Sequence, residues 1–221
     1  LGWSARAGVR AGILYQDDWS DNSEELYTPK LSLNIINCTI TECGADSYSG
    51  LPMSAAAIHF IGAGSIQQCT ITNNTMGIEC QNLPLVGGIT VINNSNSAIE
   101  VLNNHLINNT GSLCGGLVAQ GKGLIRVVGN QFRGNTYSVE CPPISAYKAN
   151  ALSVLQASDV IIQENLFIDN FNPGPIPLGT VIGLLAYQSQ TSLPIRFVNN
   201  TIVNWHSPIF YTSLIFICHG S

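Results

Sequence analysis

The chain has 221 residues, of which 45% are hydrophobic and only 10% are charged, and its formal net charge at pH 7 is −5. The 8 Lys and Arg residues are scattered, so the sequence lacks the basic patch that favours nucleic acid, and its longest apolar run, residues 209–218, is shorter than the roughly 18 residues of a membrane-spanning helix. Composition therefore disfavours a nucleic-acid-binding protein and a helical membrane protein, and the length suits one domain or one piece of a longer repetitive protein.

Residues 1–30 precede the repeats described below and are predicted to form an irregular segment, either a cap or a first coil. Because the sequence opens at Leu1 without a basic start and an apolar stretch, we expect a mature chain or an internal fragment. Asp17, Asp18 and Asp21 belong to an acidic group that could bind calcium. The Asp-x-Asp-x-Asp-Gly spacing of a calcium loop is missing, so a solvated loop is the favoured interpretation.

One short phrase recurs six times between residues 31 and 207, which indicates a repeat architecture. The copies read NCTITEC, QCTITNN, NNHLINN, GNQFRGN, ENLFIDN and NNTIVNW. Each copy is centred on an apolar residue, and successive centres are separated by 26 to 35 residues. The six centres are Ile40, Ile71, Leu106, Phe132, Phe167 and Ile202.

Apolar residues also lie five and seven positions before the centres, as Ile35 and Leu33 do in the first copy, with mostly polar residues between them. This alternation predicts a β-strand with one buried face. Asn or Cys stands two residues before each centre, and Asn recurs three residues after most of them, which predicts corners because Asn tolerates left-handed backbone. Pro residues such as Pro52 and Pro84 then predict loops that project from one edge.

A repeat of about three short strands cannot bury its own apolar face. Stacking the repeats about 4.8 Å apart aligns like residues into continuous ladders. The predicted fold is therefore all-β, a single-stranded parallel β-helix, or solenoid, with about six recognisable coils over residues 31–207. A sandwich of antiparallel strands is the competing fold, but it gives no reason for one phrase to recur in register.

The phrase N-x-[ILF]-x-x-N across residues 31–205 resembles the right-handed parallel β-helix repeats of the pectin-lyase-like superfamily. A partial resemblance links the Phe132-Arg133-Gly134-Asn135 and Phe167-Ile168-Asp169-Asn170 units to the FxxN repeats of polymorphic outer membrane adhesins. The Gly87-Gly88-Ile89 and Gly115-Gly116-Leu117 units are similar to the GGA[ILV] repeats of the same adhesins, although Ala is absent. These resemblances imply a right-handed coil. Enzymes, adhesins and fibres all use this fold, so the resemblances indicate the fold more strongly than the function.

The chain has 7 Cys residues, which suggests an oxidising compartment. Cys38 and Cys69 occupy the same position in adjacent repeats, and stacking would place their Cα atoms about 5 Å apart, so a disulfide between them is feasible. Cys80, Cys114 and Cys141 stand in the related phrases IEC, SLC and VEC, and two of these three could pair. The alternative is that the thiols are unpaired core residues. The sequence contains no C-x-x-C pair, so it does not indicate a zinc site.

Five N-x-[ST] sequons are candidates for glycosylation: Asn37, Asn73, Asn93, Asn108 and Asn199. Four of them fall at predicted corners, where a glycan could project, but Asn is expected at these corners without any glycan. The sequons are compatible with an extracellular or cell-surface location, and whether they carry glycans stays open.

Enzymes that resemble this fold cleave acidic polysaccharides with clustered carboxylates. Glu79 and Glu140 share a register, and stacking would separate them by roughly 10 Å. They are weak catalytic candidates. The four His residues show neither metal-ligand spacing nor a catalytic triad, so no metal site or cofactor is predicted apart from the calcium option.

Residues 208–221 are predicted to begin a further coil or to form an end strand for assembly. Ile209, Phe210, Leu214 and Phe216 make this segment apolar and β-prone, and left bare it would pair with another chain. We therefore expect the chain to contact itself end to end or to contact neighbouring domains of a longer chain, with carbohydrate as a further partner.

The leading hypothesis is a non-catalytic extracellular structural or adhesive protein, either a subunit of a fibre or a segment of a larger surface protein. The alternatives are a polysaccharide lyase or glycoside hydrolase of the pectin-lyase-like superfamily, and a carbohydrate-binding β-helix.

Overall fold

The computed structural model describes residues 12–16, 26–45, 54–76, 85–138, 149–170, 180–186, 195–204 and 215–219. Within these ranges the chain forms 23 β-strands and no helix. Every pairing between these strands is parallel. The prediction of an all-β chain with parallel strands is therefore confirmed, and the antiparallel sandwich is wrong.

The strands lie in five rows, which we call rows A to E. Row A holds β1 (Ile13–Gln16), β6 (Ile58–Ile61), β11 (Ile89–Ile92), β20 (Thr180–Ala186) and β23 (Ile215–His219). Row B holds β2 (Leu33–Ile36), β7 (Gly64–Gln67), β12 (Ile99–Leu102) and β21 (Arg196–Val198). Two long strands, β15 (Leu117–Val128) and β18 (Ala149–Gln163), run through both rows and join them into one 11-stranded sheet.

The other three rows are separate sheets. Row C has six strands: β3 (Thr39–Thr41), β8 (Thr70–Thr72), β13 (His105–Ile107), β16 (Gln131–Arg133), β19 (Leu166–Ile168) and β22 (Thr201–Val203). Row D has four: β4 (Gly44–Ala45), β9 (Thr75–Met76), β14 (Thr110–Gly111) and β17 (Thr136–Tyr137). Row E has two: β5 (Ser54–Ala55) and β10 (Leu85–Val86).

The six repeats pair in the register that the sequence predicts. In row C the centres pair in sequence order, from Ile40 with Ile71 to Phe167 with Ile202. In row B the residues five before the centres pair likewise, from Ile35 with Ile66 to Ile162 with Phe197. Loop length between repeats therefore varies without disturbing strand register.

The main hydrophobic core lies between rows A, B and C, where the inward side chains of successive repeats stack in columns. The Phe132 and Phe167 rings stack with centroids 4.8 Å apart and an interplanar angle of 10°. At the N-terminal end, the Tyr15 ring packs on Phe60 with centroids 4.9 Å apart. Residues before the repeats thus contribute to the same core.

Row A is buried on both faces through the middle repeats. Its outward column contains His59, Thr90, Val118 and Ser153, which pair in sequence and are at most 7% exposed. A second, smaller core that includes Val118 packs on this outer side, formed also by Ala55, Val86, Leu113, Cys114 and Ala149. Within the described part of the chain, His59 Nδ1, Thr90 Oγ1 and Ser153 Oγ have no hydrogen-bond partner.

The chain turns at residues with left-handed backbone that directly precede the predicted corner rows. These residues lie three before and two after each centre, with φ between 52° and 68°. They are Asn37, Gln68, Asn103, Gly129, Glu164 and Asn199 in one row, and Glu42, Asn73, Asn108, Gly134, Asp169 and Asn204 in the other. The predicted corners are therefore correct in place, but the left-handed conformation belongs to the residue before each predicted Asn.

The Asn rows themselves point inward and form two buried amide ladders. Asn109 is typical: its Nδ2 donates to Ile71 O at 2.9 Å and to Asn135 Oδ1 at 3.0 Å. Its Oδ1 accepts from the backbone N and from Nδ2 of Asn74, at 3.1 and 2.9 Å. The first ladder contains Asn104, Asn130, Asn165 and Asn200, and the second contains Asn74, Asn109, Asn135 and Asn170. Each amide thereby satisfies corner backbone groups that burial would otherwise leave unpaired.

Both terminal segments add strands to row A. β1 pairs with β6, and β23 pairs with β20. The predicted roles of residues 1–30 and 208–221 stay predictions. Of the predicted assembly residues, Phe216 lies in β23, while Ile209, Phe210 and Leu214 lie outside the described residues.

Candidate functional site

An open cleft of about 540 Å³ lies on the outer face of row B, in the first three repeats. One wall is the segment of residues 29–32, and the opposite side is the outward column of the sheet. The cleft is lined by Pro29, Lys30, Leu31, Ser32, Asn34, Ala63, Gly64, Ser65, Gln67, Ser97, Ala98 and Glu100. Five of these twelve residues carry a hydroxyl or an amide group: Ser32, Asn34, Ser65, Gln67 and Ser97.

Tyr27 and Thr28, which directly precede this wall, are hydrogen-bonded to the loop between β11 and β12. The backbone N of Tyr27 donates to Asn94 O at 3.1 Å, and Asn96 N donates back to Tyr27 O at 2.9 Å. A side-chain bond from Asn96 Nδ2 to Thr28 Oγ1, 3.0 Å, adds to this contact. These bonds hold the wall beside the sheet at a distance that leaves the cleft open.

The base of the cleft depends on a close approach between neighbouring strands. Leu33 N donates to Ala63 O at 3.1 Å, and a Cβ at Gly64 would collide with the carbonyl oxygen of Leu33. Gly64 also has φ 133°, a backbone conformation that other residues rarely adopt. Glycine is therefore required where the first two repeats meet under the cleft.

The polar side chains of the cleft are partly fixed by contacts between repeats. Ser65 is only 4% exposed, and its Oγ donates to Asn34 Oδ1 at 2.7 Å. Glu100 pairs with Arg126 of the next repeat, with 3.7 Å between Oε1 and Nε. Since both charged side chains remain substantially exposed, this pair contributes little to stability.

The cleft can donate and accept several hydrogen bonds, as a neutral polyhydroxylated ligand requires. Glu100 is the single carboxylate among its described lining residues. Glycoside hydrolysis by either common mechanism requires a pair of carboxyl groups. The described lining of the cleft supplies one such group.

Glu79 and Glu140 lie outside the described residues, and so do Asp17, Asp18 and Asp21. Within the described ranges, no group of three or more His, Cys, Asp or Glu residues is placed to hold a metal ion.

The predicted Cys38–Cys69 disulfide is not formed in the structure: both residues are free thiols, as are Cys43 and Cys114. Cys69 Sγ instead bonds to Ile35 O at 3.6 Å, in the same position as the amide contact that Asn104 Nδ2 makes to Ile66 O. The thiol therefore substitutes for an amide in the ladder. Cys80 and Cys141 lie outside the described residues.

The five predicted glycosylation candidates differ in exposure. Asn93 is fully buried, and its Nδ2 donates to Ser97 O at 2.9 Å and to Leu124 O at 2.7 Å. The other four candidates are exposed residues at left-handed corners: Asn37, Asn73, Asn108 and Asn199. Their glycosylation stays a prediction.

The sequence prediction missed the cleft because one of its walls lies outside the repeats. A usable signal existed for the opposite side, since Asn34, Ser65 and Glu100 occupy equivalent outward positions between the predicted buried residues. Nothing in the spacing of residues 26–32 indicated that this segment runs beside that column.

Comparison with known proteins assigns no family. A scan against protein-family models finds no match, a search of curated proteins finds none, and a search of solved structures finds none. No helix in the described ranges has the length and hydropathy needed to span a membrane.

Proposed function

We propose that the chain is a right-handed, single-stranded parallel β-helix that acts as a non-catalytic structural or adhesive protein outside the cell or on its surface. The observation that carries this proposal is the pair of buried amide ladders, which run from repeat to repeat with the same bonds. Such repetition stabilises an elongated scaffold whose length can grow by adding repeats. The resemblance to the pectin-lyase-like superfamily and to the adhesin repeats supports the handedness and the surface role.

The unpaired strand edges of this scaffold support assembly through its ends. Among the described strands, β21 and β22 have a neighbour on one side only. Val198 on β21 is 43% exposed and Val203 on β22 is 39% exposed. Exposed apolar edge strands favour pairing with another chain. The partner is a second copy or a neighbouring domain of a longer chain.

Negative-stain electron microscopy of the isolated protein tests this function, with mass spectrometry to record disulfides and glycans. We expect filaments, and we expect the Val198→Lys/Val203→Lys double variant to shorten or abolish them. The matched control is Val128→Lys/Ile107→Lys, which changes the same two outward columns in the middle repeats. Uniform short rods from the unaltered protein, or equal effects of both double variants, would contradict end-to-end assembly.

Carbohydrate binding is the second candidate function, and the polar cleft on row B favours it. We expect binding on a glycan array to weaken at least about tenfold with Gln67→Ala. Gln163→Ala, in the same outward column but away from the cleft, is the matched control. A lyase or hydrolase is the remaining alternative: turnover of pectin, alginate or chondroitin that Glu79→Gln or Glu140→Gln abolishes would replace the non-catalytic proposal.

A further inference from the structure

Two thiols face each other across the first two repeats. Cys38 and Cys69 lie between paired residues on both sides, since Ile36 pairs with Gln67 and Thr39 pairs with Thr70. Equivalent residues of neighbouring strands have Cα atoms about 5 Å apart, which is within the range that a disulfide spans. A bridge therefore requires side-chain rotation and no shift of the backbone.

The sulfur contacts show that the two thiols already share one environment. Cys38 N donates to Cys69 Sγ at 3.5 Å. Cys69 Sγ donates to Gln67 O at 3.2 Å, and Cys38 Sγ donates to Ile36 O at 3.4 Å. Cys69 is fully buried, whereas Cys38 is half-buried, so a reagent from solution meets Cys38 first.

Cys43 and Cys114 lack this arrangement. Cys43 also belongs to the first repeat and is half-buried, but it faces Asn74, whose Oδ1 accepts from Cys43 N at 2.9 Å. Cys114 is fully buried, and burial raises its pKa to about 12. Its partners in the neighbouring repeats are Val86 and Ala149, so no thiol faces it there.

We propose that Cys38 and Cys69 form a reversible thiol–disulfide site, which reacts with a low-molecular-weight disulfide at Cys38 and closes a bridge to Cys69. The site is independent of the assembly and cleft functions proposed above. Closing it ties the first repeat, whose strands β2 and β3 pair on one side only among the described strands, to the second repeat.

The chemistry consists of two exchange steps. The Cys38 thiolate attacks one sulfur of the small disulfide, whose S–S bond breaks, and the leaving thiolate takes up a proton. The Cys69 thiolate then attacks Cys38 Sγ and expels the second small thiol. The protein loses two hydrogens and the small disulfide is reduced to two thiols. Burial raises the pKa of Cys69, so the second step should become faster as the pH rises.

The test uses the full chain, reduced and then incubated with oxidised glutathione. We expect a protein lighter by two hydrogens, and a protease map that finds Cys38 and Cys69 in one cross-linked peptide. The oxidised protein should unfold at least about 5 °C higher than the reduced protein, because the bridge closes a loop of 31 residues in the unfolded chain.

Variants identify each thiol. Cys43→Ser should form the bridge as the unaltered protein does, and Cys69→Ser should stop at a glutathione adduct on Cys38. If Cys69→Ser fails to fold, the peptide map of the unaltered protein still shows whether Cys38 and Cys69 are joined. A stable adduct on Cys38 without a bridge, or a bridge that joins any other pair of cysteines, would overturn the proposal.

Discussion

Burial of the imidazole of His59 makes stability depend on pH. Its pKa is lowered by desolvation from 6.5 to about 4, and its Nδ1 has no partner among the described residues. In the unfolded chain the imidazole binds a proton more readily than in the folded chain. Folding stability should therefore begin to fall as the pH drops below 6.5, and the full loss, of order 3 kcal/mol, should be reached below about 4.

Urea unfolding between pH 7 and pH 4 measures this loss. His59→Leu removes the titrating group from an apolar site, so the free energy of unfolding of this variant should lose about 3 kcal/mol less between pH 7 and pH 4 than that of the unaltered protein. Thr90→Val changes the neighbouring residue of the same buried column without removing a titrating group, and it should leave the slope as it is. An unchanged slope in His59→Leu would show that other groups cause the acid sensitivity.

We expect the amide of Asn109 to contribute more to stability than the amide of an exposed Asn does. It makes four side-chain hydrogen bonds in a fully buried position. Asn109→Ala would leave Ile71 O and the Asn74 donors without these partners, so we expect a loss of about 3 kcal/mol or more in chemical unfolding.

The neighbouring Asn108 provides the control, because it is exposed and has φ 53°. Asn108→Gly keeps a residue that tolerates this conformation, as Gly134 does in the next repeat, and should cost less than about 1 kcal/mol. Equal losses from the two variants would mean that the ladder bonds add nothing beyond corner geometry.

At the scale of a strand, the aromatic stack between β16 and β19 joins the fourth repeat to the fifth. Phe132→Ala removes a fully buried ring that stacks on Phe167, and we expect a loss of about 4 kcal/mol. Arg133→Ala on the same strand removes only an exposed ion pair with Asp169, 3.8 Å, and should cost below about 1 kcal/mol. Chemical unfolding of both variants compares the two faces of one strand, and similar losses would contradict the assigned core.

Strand register was predictable from the sequence because the recurring phrase aligns equivalent residues of successive repeats, and the alternation of apolar and polar residues shows which face is buried. The centres and their upstream neighbours pair as expected. The left-handed residue was misplaced by one position. Asn is suited both to that conformation and to a ladder, and local preference does not choose between the two uses. Burial of the outer face of row A and the wall of the cleft were not predictable, because both depend on contacts between residues far apart in sequence.

For the whole molecule, stability should be graded from the middle to the ends. β12, β13 and β16 have neighbours on both sides, while β1, β21 and β22 have one neighbour among the described strands. Native-state hydrogen exchange should therefore give the slowest exchange in the third and fourth repeats and the fastest in the end strands. Uniform protection along the chain would instead indicate a single cooperative unit.

The ladder geometry also has a consequence for how glycosylation signals evolve. At residues 73–75, 108–110 and 199–201, the first Asn adopts the left-handed corner, the second Asn enters the ladder and Thr begins the next strand. Packing alone thus favours the tripeptide Asn-Asn-Thr, which is also an acceptor sequence for oligosaccharide transfer. The number of such tripeptides in a repeat protein of this geometry therefore reflects its corners and ladders rather than its glycosylation. A lineage that begins to secrete such a protein acquires acceptor sites without any new substitution.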